Sequence, residues 1–223
     1  MPNLKEVKNR INSVNSTQQI TKAMKMVAAA KLRRAQDRIL QMRPYAQKLN
    51  TILRNVSGAA SSDDPSTFSI DRGTGRVLLI VVSSDRGLCG AFNSNIFKAA
   101  VAHVKDNYAH AERGGNLTIL PIGKRSYDYF RKRGYQMVDD YWETMGKLNF
   151  DDVRAIAERV MGEFEGEEYD RVDLIYNEFK NVATQILRTE QYLPIAPPDD
   201  EGLESEIDYI YEPSREEIVK DLI

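Results

Sequence analysis

The chain has 223 residues, of which 42% are hydrophobic and 29% are charged, and its formal net charge is −2. This composition is typical of a soluble globular protein and leaves room for one sizeable domain plus an appendage. The sequence has no apolar run of about 18 residues, which excludes a membrane-spanning helix. Its first residues lack the apolar core of a secretory signal. The single cysteine, Cys89, excludes an intramolecular disulfide framework and favours a reducing compartment.

The near-neutral total hides a division of charge along the chain. Residues 1–57 contain 12 Lys and Arg but only two acids, Glu6 and Asp37, whereas the remainder contains 19 bases and 31 acids. The N-terminal part is therefore a basic arm and the rest is an acidic body. A basic arm favours an anionic partner, which could be nucleic acid, a membrane surface or an acidic protein surface.

Residues 4–56 are predicted to form one long helix with a coiled-coil seam, because side chains suited to a seam recur at alternating steps of three and four residues. At 1.5 Å per residue the helix would be about 80 Å long, too long for a compact domain. Asn3 and Glu6 resemble a capping box at its start. The seam positions are Leu4, Val7, Ile11, Val14, Gln18, Thr21, Lys25, Ala28, Leu32, Ala35, Ile39, Met42, Ala46, Leu49, Leu53 and Val56.

Two features modify this helix. Pro44 removes a backbone hydrogen bond, so we expect either a bend there or two helices in line. Between residues 18 and 31 the seam becomes polar and small, which suits a surface that contacts more than one partner or slides. A plain coiled coil with a solvated charged face stays the alternative. Gly58 and the Ser/Asp/Pro cluster at 61–66 are predicted to end the helix.

After the arm, strands and helices alternate, which predicts a Rossmann-like α/β domain with a mostly parallel sheet. Residues 76–83 form a continuous β-branched run typical of a buried parallel strand. Asn149 is predicted to cap a helix with Val153, Ile156, Ala157, Val160 and Phe164 on one face. The further strands are predicted at 117–122, 172–176, 184–194 and 206–212, and the helices at 91–110, 124–133 and 150–165.

The last residues predict the start of another helix. Pro213 precedes a capping box at residues 214–217, and apolar side chains then share one face as far as Ile223. Such a short helix is marginal alone, so we expect a longer partner for the N-terminal seam that this sequence lacks. The predicted organisation is a coiled-coil helix at 1–58, a linker at 59–75, the α/β domain at 76–212 and a second helix beginning at 213–223.

No stretch predicts a catalytic, cofactor or metal site. The loop at 83–90 follows a strand, but it lacks the first glycine of a dinucleotide-binding fingerprint, and Gly123-Lys124 does not belong to a Walker A loop. His103 and His110 are two helical turns apart, too far for one metal ion, and are expected at the surface. No histidine lies near Cys89 in sequence, so no catalytic triad is predicted, and Cys89 is instead expected to be a small buried or half-buried residue.

Three stretches resemble the gamma subunit family of rotary ATP synthases. They are INSVNST at 11–17 running into ITKAMKMVAAAK at 20–31, SDRGLCGAFN at 84–93, and YIYEP at 209–213. The resemblance implies an antiparallel coiled coil inside a ring of alpha and beta subunits, completed by a long C-terminal helix. It also implies an α/β domain below that ring, against the epsilon subunit and the membrane c ring.

By matching position, the resemblance implies contacts to the catalytic ring from Met24, Lys25, Lys31, Arg33 and Arg34. It further implies that Tyr209, Tyr211 and Glu212 belong to a foot facing the c ring and epsilon. Acidic loops on the beta subunits would be the anionic partner of the basic arm. Lys25 departs from the pattern, since some relatives have an acid there.

The family's role is a non-catalytic rotor that couples proton-driven rotation of the c ring to conformational change in the beta subunits. For a bacterial member the expected location is the cytoplasmic face of the inner membrane, as a peripheral subunit that needs no cofactor. The alternative is a nucleic-acid-binding protein with a basic coiled-coil arm, although Tyr45 is the only aromatic residue there for base stacking. A nucleotide-dependent enzyme is the second alternative.

Overall fold

The computed structural model describes residues 3–58 and 67–196. The chain divides into two compact units, Met1–Ile52 and Leu53–Ile223. In the described residues, no helix combines the length and apolarity needed to cross a membrane. The strand predicted at 206–212 and the helix predicted from 213 lie outside the described residues.

Helix α1 spans Leu4–Gly58 and accounts for nearly all of the first unit. It begins at the predicted cap, where Asn3 Oδ1 accepts a hydrogen bond of 3.3 Å from the Lys5 amide. The helix continues through Pro44 as one element, so the prediction of two helices in line is wrong, and a bend stays a prediction. Pro44 has no N–H to donate to the Leu40 carbonyl, which leaves one gap in the hydrogen-bond ladder.

Nearly all side chains of α1 are exposed between residues 4 and 52. Leu4 is 87% exposed and Val14 is 65% exposed, although both belong to the predicted seam. Between residues 3 and 52, Gln36, Arg43 and Leu49 are the only half-buried side chains. The apolar seam between residues 4 and 46 is thus exposed among the residues that the structure describes, and is available to other polypeptides.

The second unit is built on a five-stranded sheet in the order β3-β2-β1-β4-β5. Strands β1 to β4 are parallel, and β5 pairs antiparallel with β4, so the predicted mostly parallel sheet is confirmed. The strands are β1 Val77–Val82, β2 Leu117–Ile122, β3 Gln136–Met137, β4 Arg171–Phe179 and β5 Gln185–Leu193. The helices of this unit are α2 Phe92–Asn107, α3 Ala109–Arg113, α4 Lys124–Arg131 and α5 Phe150–Glu165, with 3-10 turns at Thr67–Ser69 and Thr144–Lys147.

Both faces of the sheet are covered, because successive side chains of β1 point to opposite sides. Val77, Leu79 and Val81 face a cluster that includes residues of α2 and α4. Leu78 and Ile80 face a second cluster that includes residues of α5. The continuous apolar sequence of β1 is explained by this two-sided burial.

Helix α5 matches its predicted bounds and cap. The Asp152 amide donates a 2.7 Å hydrogen bond to Asn149 Oδ1, which satisfies one of the free amides of the first turn. Ile156, Val160 and Phe164 are buried as predicted, whereas Val153 is 45% exposed, so the buried face begins one turn later than expected.

Candidate functional site

The five residues predicted to contact a partner ring lie on the exposed surface of α1. At 3.6 residues per turn, Lys31 projects on nearly the same side as Met24, about 20° away, and Arg33 projects on the opposite side. Lys25 and Arg34 point to the two remaining sides. The set therefore surrounds the helix, so partners on every side of it could be contacted.

The cations of this set carry uncompensated charge. Among the residues that the structure describes, none of Lys25, Lys31, Arg33 and Arg34 forms a salt bridge with a carboxylate. Glu6 and Asp37 are the only acids between residues 3 and 52. This stretch of α1 therefore presents positive charge that favours an anionic partner.

Small and flexible side chains lie between these cations. Ala28, Ala29 and Ala30 are exposed, and small side chains let a partner approach the helix backbone closely. Met24 and Met26 beside them are 66% and 62% exposed, and methionine adapts its shape to different neighbours. The surface is suited to contacting several differently shaped partners. The other predicted set, Tyr209, Tyr211 and Glu212, lies outside the described residues.

The loop after β1 is held together by hydrogen bonds within the protein. Asn93 Oδ1 accepts a 3.1 Å bond from the Ser84 amide, and Asn93 Nδ2 lies 2.9 Å from Ser84 Oγ. Cys89, expected to be buried or half-buried, is instead exposed in this loop, and Asn93 Nδ2 lies 3.2 Å from its sulfur. The prediction for Cys89 was wrong because Cys89 lies in the loop between β1 and α2, where its side chain is exposed, and not among the core residues.

The same loop caps the first turn of α4. Ser83 Oγ accepts from the Ser126 amide at 2.8 Å, the Ser84 carbonyl accepts from the Arg125 amide at 3.2 Å, and Asp85 Oδ1 accepts from the Lys124 amide at 3.2 Å. In many α/β proteins a helix N-terminus of this kind binds phosphate. Here residues 83–85 of the protein itself accept hydrogen bonds from those three amides. The loop therefore connects the end of β1 to the start of α4, which follows β2.

Gly123 makes this junction possible. Its φ of 99° lies in the left-handed region, and a Cβ at this position would overlap the Ser83 carbonyl oxygen. The glycine in the pair Gly123-Lys124 is therefore explained by close backbone approach rather than by nucleotide binding.

A buried polar cluster escaped the sequence analysis. Asp173 is 1% exposed, and its Oδ2 lies 2.6 Å from His103 Nε2 and accepts a hydrogen bond from the Tyr108 hydroxyl. Arg171 Nε donates to Asp173 Oδ1 at 3.1 Å. Burial, followed by the neighbouring Asp173 carboxylate, raises the pKa of Tyr108.

His103 is therefore half-buried rather than at the surface as predicted, because it pairs with a carboxylate 70 residues away. The signal for this cluster was an aspartate inside the otherwise apolar run of β4, since a buried charge needs partners. In the described part of the chain, no three His, Cys, Asp or Glu side chains are arranged to bind a metal ion.

The sequence of this chain is similar to those of known proteins. A family model described as ATP synthase matches residues 3–223. The ATP synthase gamma chain of Cytophaga hutchinsonii is 51% identical over 226 residues, covering 100% of this chain and 77% of that relative. The gamma chain of Flavobacterium psychrophilum is 48% identical over 223 residues and is covered to 76% of its length.

Solved structures agree with these sequences. The central stalk and c-ring structure of the Tetrahymena thermophila mitochondrial ATP synthase contains a chain that is 29% identical, with a TM-score of 0.56. The match covers 78% of this chain and 72% of that one. A rotor chain of the Euglena gracilis mitochondrial ATP synthase has the same fold at 22% identity, with a TM-score of 0.53 and coverage of 85% and 62%.

Proposed function

Because the chain belongs to the family of ATP synthase gamma chains, we propose that it is the central-stalk rotor subunit of a proton-translocating ATP synthase. In this role it is non-catalytic and couples rotation of the c ring to conformational change at the catalytic beta subunits. Its partners are the alpha and beta subunits, the epsilon subunit and the c ring. We further propose that this chain lies at the cytoplasmic face of a bacterial inner membrane, as a peripheral subunit of that complex.

The observation that carries this proposal is the exposed circumference of α1. A helix of 55 residues, with cations around it and an apolar seam that is exposed between residues 4 and 46 of the described chain, is suited to lie inside a ring of other polypeptides. We assign Met24, Lys25, Lys31, Arg33 and Arg34 to contacts with the catalytic ring. Tyr209, Tyr211 and Glu212 are assigned to the foot that faces the c ring and epsilon.

The physical mechanism is differential contact. A single helix pair cannot be three-fold symmetric, so each of three beta subunits meets a different side of it. Only a difference in interaction free energy can shift each catalytic site between open and closed states. Changing a population from 1:99 to 99:1 requires about 5.5 kcal/mol, whereas exposed ion pairs contribute roughly 0–1 kcal/mol each. Steric displacement of packed elements by a stiff helix must therefore supply most of the coupling.

The first experiment is reconstitution. Mixed with alpha and beta subunits, the chain is expected to form a stoichiometric complex, measured by size-exclusion chromatography with mass detection. The isolated chain is expected to hydrolyse no ATP. Failure to form the complex with active alpha and beta subunits would contradict the proposed function.

The second experiment separates charge from steric coupling. In the assembled complex, Arg33→Gln combined with Arg34→Gln is expected to lower coupled ATP synthesis by about twofold to tenfold, because two exposed ion pairs are weak. Rotation observed on single molecules should persist. The control removes two exposed cations from α2 by Lys98→Gln and Lys105→Gln and should leave coupling unchanged. Loss of all rotation in the first variant would show that charge, not shape, transmits the motion.

A further inference from the structure

A dense group of cations lies on the acidic body, outside the helix to which the proposed function assigns ring contacts. Residues 124–133 contain five cations and one acid, although the chain beyond residue 57 has 31 acids against 19 bases. All five cations are exposed. We call this group the α4 cation face; it consists of Lys124, Arg125 and Arg131 of α4 together with Lys132 and Arg133 in the turn that follows the helix.

The α4 cation face is not neutralised by the described part of the protein. None of its five members forms a salt bridge with a described carboxylate, including Asp128, which lies four residues from both Lys124 and Lys132. Elsewhere in the same unit, ion pairs form readily, as between Arg159 and Glu163 at 2.6 Å and between Arg188 and Glu178 at 2.8 Å. What distinguishes the α4 cation face is that five exposed cations without a described ion pair lie within ten residues of sequence.

Aromatic rings hold three of these cations in place. The Arg133 guanidinium lies 3.5 Å from the ring centroid of Tyr129, and its Nη1 donates to the Tyr129 carbonyl at 3.1 Å. Arg131 lies 5.5 Å from the Tyr127 centroid and donates to the Tyr127 hydroxyl at 2.9 Å. These contacts order long side chains before any partner arrives, which reduces the entropy lost on binding.

The rings also connect the cations to one another. Tyr127 stacks on Trp142 with centroids 5.0 Å apart, and Lys124 Nζ lies 5.8 Å from the Trp142 centroid. Lys124, Trp142, Tyr127 and Arg131 therefore form a continuous row in which cations flank stacked rings. A row of this kind presents positive charge at fixed spacing.

The geometry selects among anionic partners. Single-stranded nucleic acid binds by stacking bases on free aromatic faces, but Tyr127 and Tyr129 are half-buried and each has a guanidinium over its ring. Membrane anchoring uses exposed apolar side chains, and no large hydrophobic residue is exposed between residues 124 and 142. Arg131 and Arg133 each donate one N–H group to a neighbouring tyrosine, and the other N–H groups of a guanidinium match carboxylates in a planar, two-bond geometry.

We propose that the α4 cation face binds a carboxylate-rich segment of another subunit in the assembled complex. This inference rests on the proposed function, since it requires a complex, but it concerns a surface separate from α1. The partner segment would be a run of Asp and Glu side chains. Arg131 and Arg133 would each pair with a carboxylate through two parallel hydrogen bonds, and Lys124 and Lys132 would attract carboxylates as single positive charges.

The test uses zero-length cross-linking with a carbodiimide in the intact ATP synthase, which joins lysine amines to carboxylates in contact with them. Mass spectrometry is expected to find Lys124 or Lys132 linked to Asp or Glu of another subunit. Arg131→Lys and Arg133→Lys should each add a new link to the same segment. Lys98 and Lys105 of α2 are the matched controls and should give at least tenfold fewer links.

Three results would overturn the proposal. They are the absence of links from the α4 cation face, links only to acids of this same chain, and links no more abundant than those of the α2 controls. A triple variant, Arg131→Gln with Lys132→Gln and Arg133→Gln, tests a lipid partner. If it lowers binding to phosphatidylglycerol vesicles while subunit links are absent, the partner is a membrane and the proposal is wrong. Assembly with alpha and beta subunits reports on the proposed function separately.

Discussion

Asp170 shows how one buried side chain joins the start of β1 to the start of β4. Its carboxylate accepts hydrogen bonds from the Arg76 amide at 2.8 Å, from Arg76 Nε at 3.2 Å and from Arg76 Nη2 at 2.6 Å. The residue is only 6% exposed. These bonds from Arg76 hold the pKa of Asp170 below its ordinary value of 3.8.

Replacing Asp170 by asparagine should therefore destabilise the fold in a pH-dependent way. At pH 7 we expect a loss of about 1–3 kcal/mol in unfolding free energy, because a buried charge-assisted hydrogen-bond set is broken. The folded-state pKa is depressed, so the wild-type advantage is present above pH 3.8 and is lost as the pH falls through the folded-state value.

Urea denaturation of both proteins between pH 7 and pH 3 would measure this difference. The exposed Asp139 provides the control, since Asp139→Asn should change stability by less than about 0.5 kcal/mol at every pH. If the difference in unfolding free energy between Asp170→Asn and wild type grew as the pH fell, the lowered pKa of Asp170 in the folded state would be contradicted.

Residues with local partners were the ones that the sequence could predict. The Asn149 cap is fixed by an amide three residues away, so its role is readable from a short window. His103 depends on Asp173, and the Asp170 bonds come from Arg76, more than 90 residues earlier. Such partners are brought together only by the sheet order, which residue spacing does not specify.

At the scale of elements, Pro44 is the weakest point of α1. A proline inside a helix removes one hydrogen bond and costs about 3 kcal/mol relative to alanine. We expect Pro44→Ala to slow amide hydrogen exchange of the residues on either side of position 44 by at least tenfold, measured by mass spectrometry. The control Ala46→Gly should instead speed exchange, since glycine weakens helices by about 1 kcal/mol. Unchanged exchange in Pro44→Ala would contradict the prediction, since it would mean that the missing hydrogen bond does not weaken the surrounding turns of α1.

The bounds of helices and strands were predicted correctly where the apolar pattern was clear. They were predicted wrongly where a contact with a residue distant in sequence interrupts a helix. The bounds of β2 and α5 agree with the sequence analysis because both are delimited by clear apolar patterns and caps. The predicted helix at 91–110 is divided into α2 and α3 at Tyr108, whose φ is −127°. Tyr108 is 3% exposed and bonds to Asp173, so a tertiary contact determines this break.

For the whole molecule, the sequence indicates the kind of partner that α1 binds but not which of its residues make the contacts. Charge counts indicate an anionic partner, and the exposed side chains of α1 agree with that expectation. The choice of Met24, Lys25, Lys31, Arg33 and Arg34 came from resemblance to a family. Nothing in the spacing of these residues distinguishes a contact from a solvated cation, because that distinction belongs to the partner's surface.

The division between a basic N-terminal arm and an acidic body leads to a prediction about assembly of the whole molecule. Exposed charges accelerate association but add little to the lifetime of a complex, whereas buried apolar contacts lengthen it. Raising salt from 50 to 500 mM shortens the range of charge interactions. The association rate with alpha and beta subunits should therefore fall by about tenfold, while the dissociation rate changes by less than about threefold.

Two variants separate these contributions, with surface plasmon resonance on an immobilised complex of alpha and beta subunits as the measurement. Arg33→Gln with Arg34→Gln should lower mainly the association rate and weaken its dependence on salt. Leu32→Ser, at a seam position that is 42% exposed in this chain, should raise mainly the dissociation rate, because it removes apolar area that a partner would bury. If salt and the arginine variant acted chiefly on dissociation, ion pairs rather than the apolar seam would hold the rotor in its ring.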